Sequence, residues 1–524
     1  MNNKTLIDKL LLLVWGIFIY SGCTDLEVEE RDSIVLDGSG GFIAGNPTEL
    51  LSAAYNDLGA LANQTNVYAL YTHTSDEMIP PTRGVDWGDN GVWRTLHAHT
   101  WDFTHAYVLG AWNELNERAF KANQILASNP STQQAAEAKF LRAFYTFQVM
   151  DLFGQVPFRE VDEGVEVDPR VFTRQQAFEF VLKDLTEALP DLPDLGPAAQ
   201  NPRASKAAAN TLLARLYLNK AVYTAENAGE PGGFVFEQED MTRVVEFADA
   251  VAASGFSLED NYFTNFTTEA SSEIIFTSPA GSGENRWQMT LHYSQNPSGW
   301  NGFTTLAEFY DKFEANDQRI GQGPGTTDYV FDSNDFPDDT EDDDDDGNTE
   351  EGKPFNGIGR GFLIGQQYND DGTEAVDSRT TRLLQFTRDV PLSGAATEKG
   401  IRAIKYHPRT SGQYILMRYA DVLLMKAEAV MRGGTSGETA LDVVNQLRAV
   451  RGASALNSID EATLLDERGR ELYWEGIRRT DQIRFGTYTN TWSEKTAQEP
   501  FRTLFPIPQQ AIDSNPNLVQ NPGY

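Results

Sequence analysis

Apolar residues recur at intervals of three and four along several long segments of the chain. Each such segment is predicted to be a helix, because residues at this spacing share one helix face. The pattern is present at residues 47–61, 111–126, 135–153, 174–189, 205–223, 241–253, 415–431 and 438–450. Short loops join several of these segments, and small residues such as Ala208 and Ala427 allow close contacts between helices. The pattern predicts a mostly α fold with a tetratricopeptide-like scaffold of paired helices.

Two regions between these helices lack the periodicity. Residues 68–107 and 255–410 are rich in glycine, aspartate, asparagine and aromatic residues, and they contain few long apolar runs. We interpret both as loop-rich regions, and the helical segments then fall at about 47–61, 111–254 and 412–486. A chain of 524 residues has room for roughly two or three average domains or for one large one.

The N-terminus has the pattern of a lipoprotein signal peptide. Lys4 and Lys9 precede an apolar run at residues 10–20, and small residues then lead to Cys23. The run is too short to span a bilayer comfortably, which favours a cleaved signal over a membrane anchor. We therefore predict a signal peptide at residues 1–22, with an ordinary secretory signal as the alternative.

Cys23 is the only cysteine in the chain, so a disulfide within the chain is impossible. Its place directly after the predicted signal indicates a lipidated N-terminal residue of the mature protein. The polar, glycine-rich residues that follow predict a flexible tether over residues 23–45.

The chain is strongly acidic, with 77 acidic against 42 basic residues and a formal net charge of −35. This charge argues against nucleic-acid binding, because phosphate binding requires a basic surface. It also favours a neutral ligand over a polyanionic one.

An acidic run at residues 338–351 raises the question of a bound cation. Asp342, Asp344 and Asp346 imitate the start of an EF-hand loop, but Lys353 stands where a bidentate glutamate is needed. We expect a solvated acidic loop without a cofactor, and a calcium site is the alternative.

Motifs of catalysis are missing from the sequence. It has no Gly-x-Ser-x-Gly elbow, no His-Glu-x-x-His and no P-loop. Thiol catalysis is excluded because the only cysteine belongs to the signal. His97, His99 and His105 are close enough in sequence to suggest zinc, but a fourth ligand is not in register. We predict that the protein is not an enzyme, and a surface glycan hydrolase, whose paired carboxylates no pattern singles out, is the less favoured alternative.

The two loop regions carry the residue types of a sugar-binding surface. Sugar rings stack on flat aromatic side chains, while Asp, Asn and Arg bond the ring hydroxyls, and a preformed surface lowers the entropic cost of binding. Trp87 has small and polar neighbours, so we expect it to be exposed, whereas Trp101 and Trp112 are expected in the core. The predicted glycan-binding residues are Arg83, Asp86, Trp87, Asn90, Trp93, Trp287, Tyr293 and Trp300.

The segment at residues 466–486 is predicted to be helical. If it is one helix, the following residues fall on one stripe: Leu465, Gly469, Leu472, Gly476 and Thr480. Opposite charges flank the stripe at helical spacing, as at Asp466 and Arg470. Two glycines on the stripe suggest a backbone packed closely against a neighbouring element.

Several motifs resemble those of the SusD/RagB family. The C-terminal signature is carried by Glu467-Arg468, Glu471-Leu472, Trp474-Glu475-Gly476, Arg478, Asp481, Arg484 and Gly486. Arg142-Ala-Phe-Tyr, followed by Asp151-Leu-Phe-Gly and Val156-Pro157, is similar to the N-terminal signature of that family. The turn at residues 504–508 and the ending at residues 515–524 also match, so the resemblance covers almost the whole mature chain.

This resemblance implies a glycan-binding lipoprotein on the outer-membrane surface of a member of the Bacteroidota. The implied fold is a single SusD-like domain over residues 46–524, in which four tetratricopeptide-like repeats carry a loop-built ligand site. The implied partner is a SusC-like TonB-dependent transporter, to which the captured oligosaccharide is delivered.

The resemblance does not name the ligand. The acidic composition favours a neutral polysaccharide such as a β-glucan, a fructan or an α-glucan. A peptide-binding lipoprotein and a purely scaffolding lipoprotein are the alternatives, although a pure scaffold has no need of an aromatic and polar loop.

Overall fold

Paired α-helices form most of the protein outside the two loop regions. The computed structural model describes residues 45–163, 166–225, 233–279, 281–322, 358–369, 373–408 and 410–524. The predicted signal peptide, Cys23, most of the tether and the acidic candidates Asp342, Asp344 and Asp346 lie outside these residues. None of the helices in the described ranges is long and apolar enough to cross a membrane.

The helices are α1 (Pro47–Asn56), α2 (Asn66–Thr72), α3 (Val92–His97), α4 (Ala106–Ala127), α5 (Thr132–Phe153), α6 (Arg174–Ala188), α7 (Lys206–Leu218), α8 (Lys220–Tyr223), α9 (Gln238–Ala253), α10 (Glu284–Gln288), α11 (Ala307–Tyr310), α12 (Tyr419–Met431), α13 (Ala440–Val450), α14 (Glu461–Leu472), α15 (Arg478–Arg484) and α16 (Gln509–Ser514). The strands are β1 (Val156–Phe158), β2 (Arg170–Phe172), β3 (Ile274–Thr277), β4 (Gly321–Gln322), β5 (Arg360–Leu363), β6 (Gly365–Gln366), β7 (Gln385–Phe386), β8 (Arg402–Ile404) and β9 (Ile415–Arg418). All pairings are antiparallel: β1 with β2, β3 with β9, β6 with β7, and β5 between β4 and β8.

Consecutive long helices pack against one another in a chain of pairs. Helix α5 lies between α4 and α6, and α9 lies between α7 and α12, which in turn packs on α13. The mostly α prediction is therefore confirmed. The strands tie the loop region to the scaffold, because β9 pairs with β3 and runs directly into α12.

Helix α5 shows how the sequence sets the ends of these helices. Ser131 and Gln134 form a capping box in which each side chain accepts a hydrogen bond from the other residue's backbone N–H. The helix ends at Gly154, whose φ of 73° is the left-handed conformation that glycine adopts at low cost. The apolar stripe marked this helix correctly, and the cap places its start at Thr132.

The region at residues 68–107 is more helical than predicted, since it contains most of α2 and all of α3. Every residue of α2 from Val67 to Thr72 is buried, so this helix has no polar face. A short helix that is buried all round gives no amphipathic period, which is why the sequence pattern missed it.

The single helix predicted through residues 466–486 is wrong. Helix α14 ends at Leu472, and α15 begins at Arg478. Between them, Trp474 (φ 61°) and Gly476 (φ 73°) take left-handed conformations that reverse the chain. Gly469 does lie against a neighbour, because a Cβ there would be 2.8 Å from an Arg478 guanidinium nitrogen.

A buried ion network joins α14 to the loop region. Glu471 accepts hydrogen bonds from Arg319 (3.1 Å), Arg418 (2.7 Å) and Arg451 (2.9 Å). Glu273, at the start of the β3 segment, accepts from Arg418 at 2.6 Å and from Arg451 at 3.0 Å. All five side chains are buried. Glu471 of the C-terminal signature therefore holds distant segments together, and Asp466, which helical spacing suggested as a partner of Arg470, pairs with Lys312 instead.

Two further buried carboxylates, Glu467 and Glu428, are held ionised by neighbouring arginines. Burial alone would raise the pKa of Glu467, but Arg319, Arg470 and Arg448 outweigh it and lower the pKa to about 2. Glu428 behaves in the same way: Arg484 is the main group that opposes its burial, and its pKa is also about 2.

Acid is therefore expected to destabilise the protein between about pH 4.3, where unfolded glutamates titrate, and pH 2. A carboxyl whose folded pKa is lowered contributes stability above its unfolded pKa, and this contribution is lost as the pH falls through the folded value. Each of the two carboxyls contributes on the order of 3 kcal/mol to the free energy of unfolding. Urea unfolding followed by circular dichroism at pH 7, 5, 4 and 3 measures the loss. Glu428→Gln should weaken this pH dependence, and identical urea midpoints at pH 7 and pH 3 would contradict the prediction.

Candidate ligand-binding surface

Three loops meet at one surface of the loop region, at residues 83–91, 292–302 and 376–400. We call it the three-loop surface. The first loop begins with a tight turn in which the backbones of Arg83 and Asp86 exchange hydrogen bonds of 3.0 and 2.9 Å. This turn places Val85 at its tip, where the side chain is 96% exposed.

Trp87 follows the turn and links the first loop to the second. Its indole Nε1 donates a hydrogen bond to the backbone oxygen of Trp300 at 2.9 Å. Its ring lies 4.8 Å from that of Phe303 and 5.6 Å from that of Trp93. Trp87 is thus half-buried rather than exposed, because the second loop covers one side of the ring.

The backbone at Trp87 is also strained. Its φ of 61° lies in the left-handed region, which bulky residues rarely adopt, and Asp89 and Asn90 follow with positive φ values of 33° and 53°. Such strain costs about 1–3 kcal/mol per residue and concentrates at functional sites, where the surrounding structure holds it in place.

Gly302 provides the space that the Trp87 ring occupies. A Cβ at this position would lie 2.4 Å from Cζ2 of Trp87 and 2.7 Å from the backbone oxygen of Met289. We expect Gly302→Ala to displace the indole and to destabilise the protein by about 1–3 kcal/mol, as overpacking does. Thermal unfolding and near-ultraviolet circular dichroism measure the two effects. Gly437→Ala is the control, since nothing lies within 4 Å of a Cβ there; equal behaviour of the two variants would contradict the prediction.

Trp300 and Tyr293 supply the aromatic faces of the second loop. Trp300 is 45% exposed, so its ring is open to solvent and can present a face to a ligand. Tyr293 is partly covered by Arg379 of the third loop, whose guanidinium carbon lies 3.9 Å from the ring centroid. Arg379 also pairs with Asp86 at 2.7 Å, so it connects all three loops.

Polar groups surround these rings. The Tyr293 hydroxyl donates to Asp377 at 3.3 Å, and the backbone N–H of Arg379 donates to the same carboxylate at 2.8 Å. Burial alone would raise the pKa of Asp377, but the hydrogen bonds from Thr397 and Arg379 lower it. The surface therefore offers the carboxylates of Asp86 and Asp377 and the guanidinium of Arg379 beside aromatic rings, which suits a ligand that both stacks and carries hydroxyls.

Two buried arginines fix the backbone of the third loop from below. Arg83 donates to the backbone oxygens of Ala396 (2.5 Å) and Lys399 (2.7 Å). Arg402 donates to the backbone oxygen of Thr397 at 2.9 Å and to Asn301 of the second loop at 2.6 Å. Burial lowers the pKa of Arg83 to about 10. Arg83 is a positioning residue here, and the prediction that it contacts the ligand is wrong for this structure because it is buried.

Two predicted tryptophans are buried as well and cannot present a ring face. Trp93 is 2% exposed, and its indole donates to Asp89 at 2.6 Å. Trp287 is buried within α10. Trp101 and Trp112 lie in the core, as predicted.

Of the eight predicted residues, the structure brings five to the three-loop surface: Asp86, Trp87, Asn90, Tyr293 and Trp300. Sequence reasoning missed Arg379 and Asp377. Both lie in a loop without a motif, and only their contacts with residues more than 80 positions away reveal them.

The three histidines considered for zinc bond backbone oxygens instead. His97, His99 and His105 lie 2.9, 2.8 and 3.0 Å through Nε2 from the oxygens of Ser493, Thr74 and Val92. Within the described ranges, no group of three or more histidine, cysteine or acidic residues is arranged to hold a metal ion.

Stacked helix pairs that carry an aromatic, hydrogen-bonding surface on their loops define a repeat-scaffolded binding protein. Two family models match the chain. The model described as the SusD family matches residues 272–524, and a model described as starch-binding and associating with the outer membrane matches residues 46–218. The chain belongs to the SusD/RagB family.

Individual relatives agree with this assignment. The starch-binding protein SusD of Bacteroides thetaiotaomicron is 26% identical over 436 residues, which cover 75% of this chain and 73% of that protein. A SusD superfamily structure from Parabacteroides distasonis has a TM-score of 0.66 at 19% identity and covers 91% of this chain and 98% of its own. Surface glycan-binding protein A from Bacteroides thetaiotaomicron, solved with laminarihexaose, has a TM-score of 0.62 at 18% identity, with coverage of 91% and 98%. These structures share the fold, including its tetratricopeptide-like scaffold.

Proposed function

We propose that the protein is a cell-surface glycan-binding lipoprotein that captures oligosaccharides at the three-loop surface. The observation that carries the proposal is the 45% exposed Trp300 on the same loop as Tyr293, whose ring packs on Arg379, which in turn pairs with Asp86. Aromatic faces stack on sugar rings, and a few fixed polar groups orient the ligand. The strained Trp87 backbone supports the same assignment, because its ring holds the second loop in place.

The ligand that fits best is a neutral glucose polymer. One relative is named for starch, an α-glucan, and one structural neighbour holds laminarihexaose, a β-glucan. The net charge of −35 opposes a polyanion, and the exposed Arg379 is already paired with Asp86.

Isothermal titration calorimetry of the mature protein tests this function. The probes are maltohexaose, laminarihexaose, a fructan oligomer, polygalacturonate and a mixture of casein peptides. We expect a neutral glucan to bind, polygalacturonate not to bind, and no reducing sugar to be released during incubation. Binding of peptides alone would favour the peptide-binding alternative, and binding of no probe would favour a scaffolding role.

Membrane attachment is proposed to occur through a lipid on Cys23. The position of this sole cysteine after the apolar run supports the proposal. Cys23→Ala should move the protein from the membrane fraction to the soluble fraction with its circular dichroism unchanged. A variant that stays membrane-bound would contradict the anchor.

Delivery to a SusC-like TonB-dependent transporter completes the proposed function. Membership of the family supports it. Co-expression with a SusC-like transporter, followed by purification in mild detergent, should recover the two together. Recovery of the free monomer alone would count against this partner.

A further inference from the structure

A second cleft of about 370 Å³ lies between α14, α15 and the loop that follows α15. Its volume falls within the range of roughly 300–1,000 Å³ in which proteins bind small ligands. The residues that form the three-loop surface do not line it. It is therefore a separate concave site that the proposed function does not use.

The charged groups of this cleft are already paired with one another. Arg478 makes a bidentate contact with Asp76 at 2.7 and 2.8 Å, and the ammonium of Lys312 lies 2.7 Å from Asp466. Glu308, at the rim, adds a further negative charge. A ligand consequently meets no unpaired cation on these walls, which disfavours an anion and favours a neutral molecule.

Neutral polar side chains and the indole of Trp492 complete the lining of the cleft. Gln482 is buried in the floor, while Asn490 and Thr491 are exposed at the rim. Lys495 lies 4.2 Å from the Trp492 ring centroid and holds the indole in place.

The exposed side chains of Asn490 and Thr491 can each donate and accept a hydrogen bond, and a sugar hydroxyl complements both functions. An indole wall beside such groups suits the apolar face of a sugar ring.

We propose that this cleft is a second carbohydrate site, which binds a short neutral sugar of one or two units, such as the end of a longer glycan. The proposal rests on the proposed function for the class of ligand, but it concerns different residues.

The test measures the NMR signal of the Trp492 indole during sugar titration. The mature protein is labelled with ¹⁵N, and its indole signals are recorded by NMR during titration with maltose, laminaribiose and the corresponding hexaoses. Trp492→Phe assigns the signal. We expect a saturable shift of the Trp492 signal that persists in Trp300→Ala, where the three-loop surface is disabled. Asn490→Ala should weaken this binding about three- to tenfold, as the loss of one hydrogen bond does. Asn63→Ala is the control, since Asn63 is exposed and does not line the cleft.

The two proposals fail in different ways. Suppose that hexaoses bind the parent protein and lose affinity in Trp300→Ala, but that no sugar shifts the Trp492 signal. The cleft proposal is then overturned and the proposed function stands. If sugars shift Trp492 while Trp300→Ala changes nothing, the cleft stands and the three-loop surface is wrong. Absence of binding by every sugar overturns both.

Discussion

Replacing Trp300 by alanine is expected to lower the affinity for a bound glucan about thirtyfold or more. Truncating an aromatic anchor of a binding surface typically costs about 2 kcal/mol or more, which corresponds to that factor in the dissociation constant. The unfolding temperature should not change, because the side chain is 45% exposed and only its backbone oxygen accepts the bond from Trp87. Calorimetric titration and a thermal melt on the same variant measure both quantities.

Two further variants serve as comparisons for Trp300→Ala. Trp87→Ala removes ring contacts with Trp93 and Phe303, so it should reduce stability and affinity together. Val519→Ala, at an exposed apolar residue of the C-terminal tail, should change neither. A Trp300→Ala protein with full affinity would remove the second loop from the binding surface and leave the fold assignment untouched.

Arg418→Met is expected to lower the free energy of unfolding by about 3–5 kcal/mol, the usual cost of removing one partner from a buried ion pair. Arg418 bonds Glu273, Glu471 and Glu475 at 2.6, 2.7 and 2.8 Å. Its removal leaves three buried carboxylates with fewer cations around them, while methionine preserves most of the side-chain volume. Equilibrium urea unfolding at pH 7 measures the change.

The matched control is Arg243→Met, which breaks an exposed pair with Glu246 on α9. No measurable change is expected there, because solvent and salt screen exposed charges. If both variants had the same urea midpoint as the parent protein, the buried network would not contribute to stability as proposed.

The sequence predicted the helical scaffold well because long amphipathic helices repeat their apolar residues on one face. Helix α5 is an example in which the stripe, the capping serine and the terminal glycine all agree. The pattern failed where an element has no polar face, as in α2. It also failed at Trp474, because nothing local indicates that a tryptophan takes a left-handed conformation.

The candidate surface was predicted in part for a similar reason. Composition marked the aromatic loops, but burial depends on what packs against each ring. Trp93 and Trp300 each have a glycine within two residues on the N-terminal side, yet the first packs on Phe303 and the second lies at the surface. Arg379 joins the site only through Asp86 and Tyr293, which lie far from it in sequence.

The buried ion network also determines the order in which the chain can fold. Glu273 and Arg319 belong to the middle of the chain, whereas their partners Arg451, Glu467 and Glu471 lie near its end. During synthesis the middle segment emerges first, and its charges stay unpaired until α13 and α14 follow. Contacts across such separations form slowly because the intervening chain must be closed into a loop. The loop region that carries the three-loop surface therefore completes its folding only after the C-terminal helices have been made.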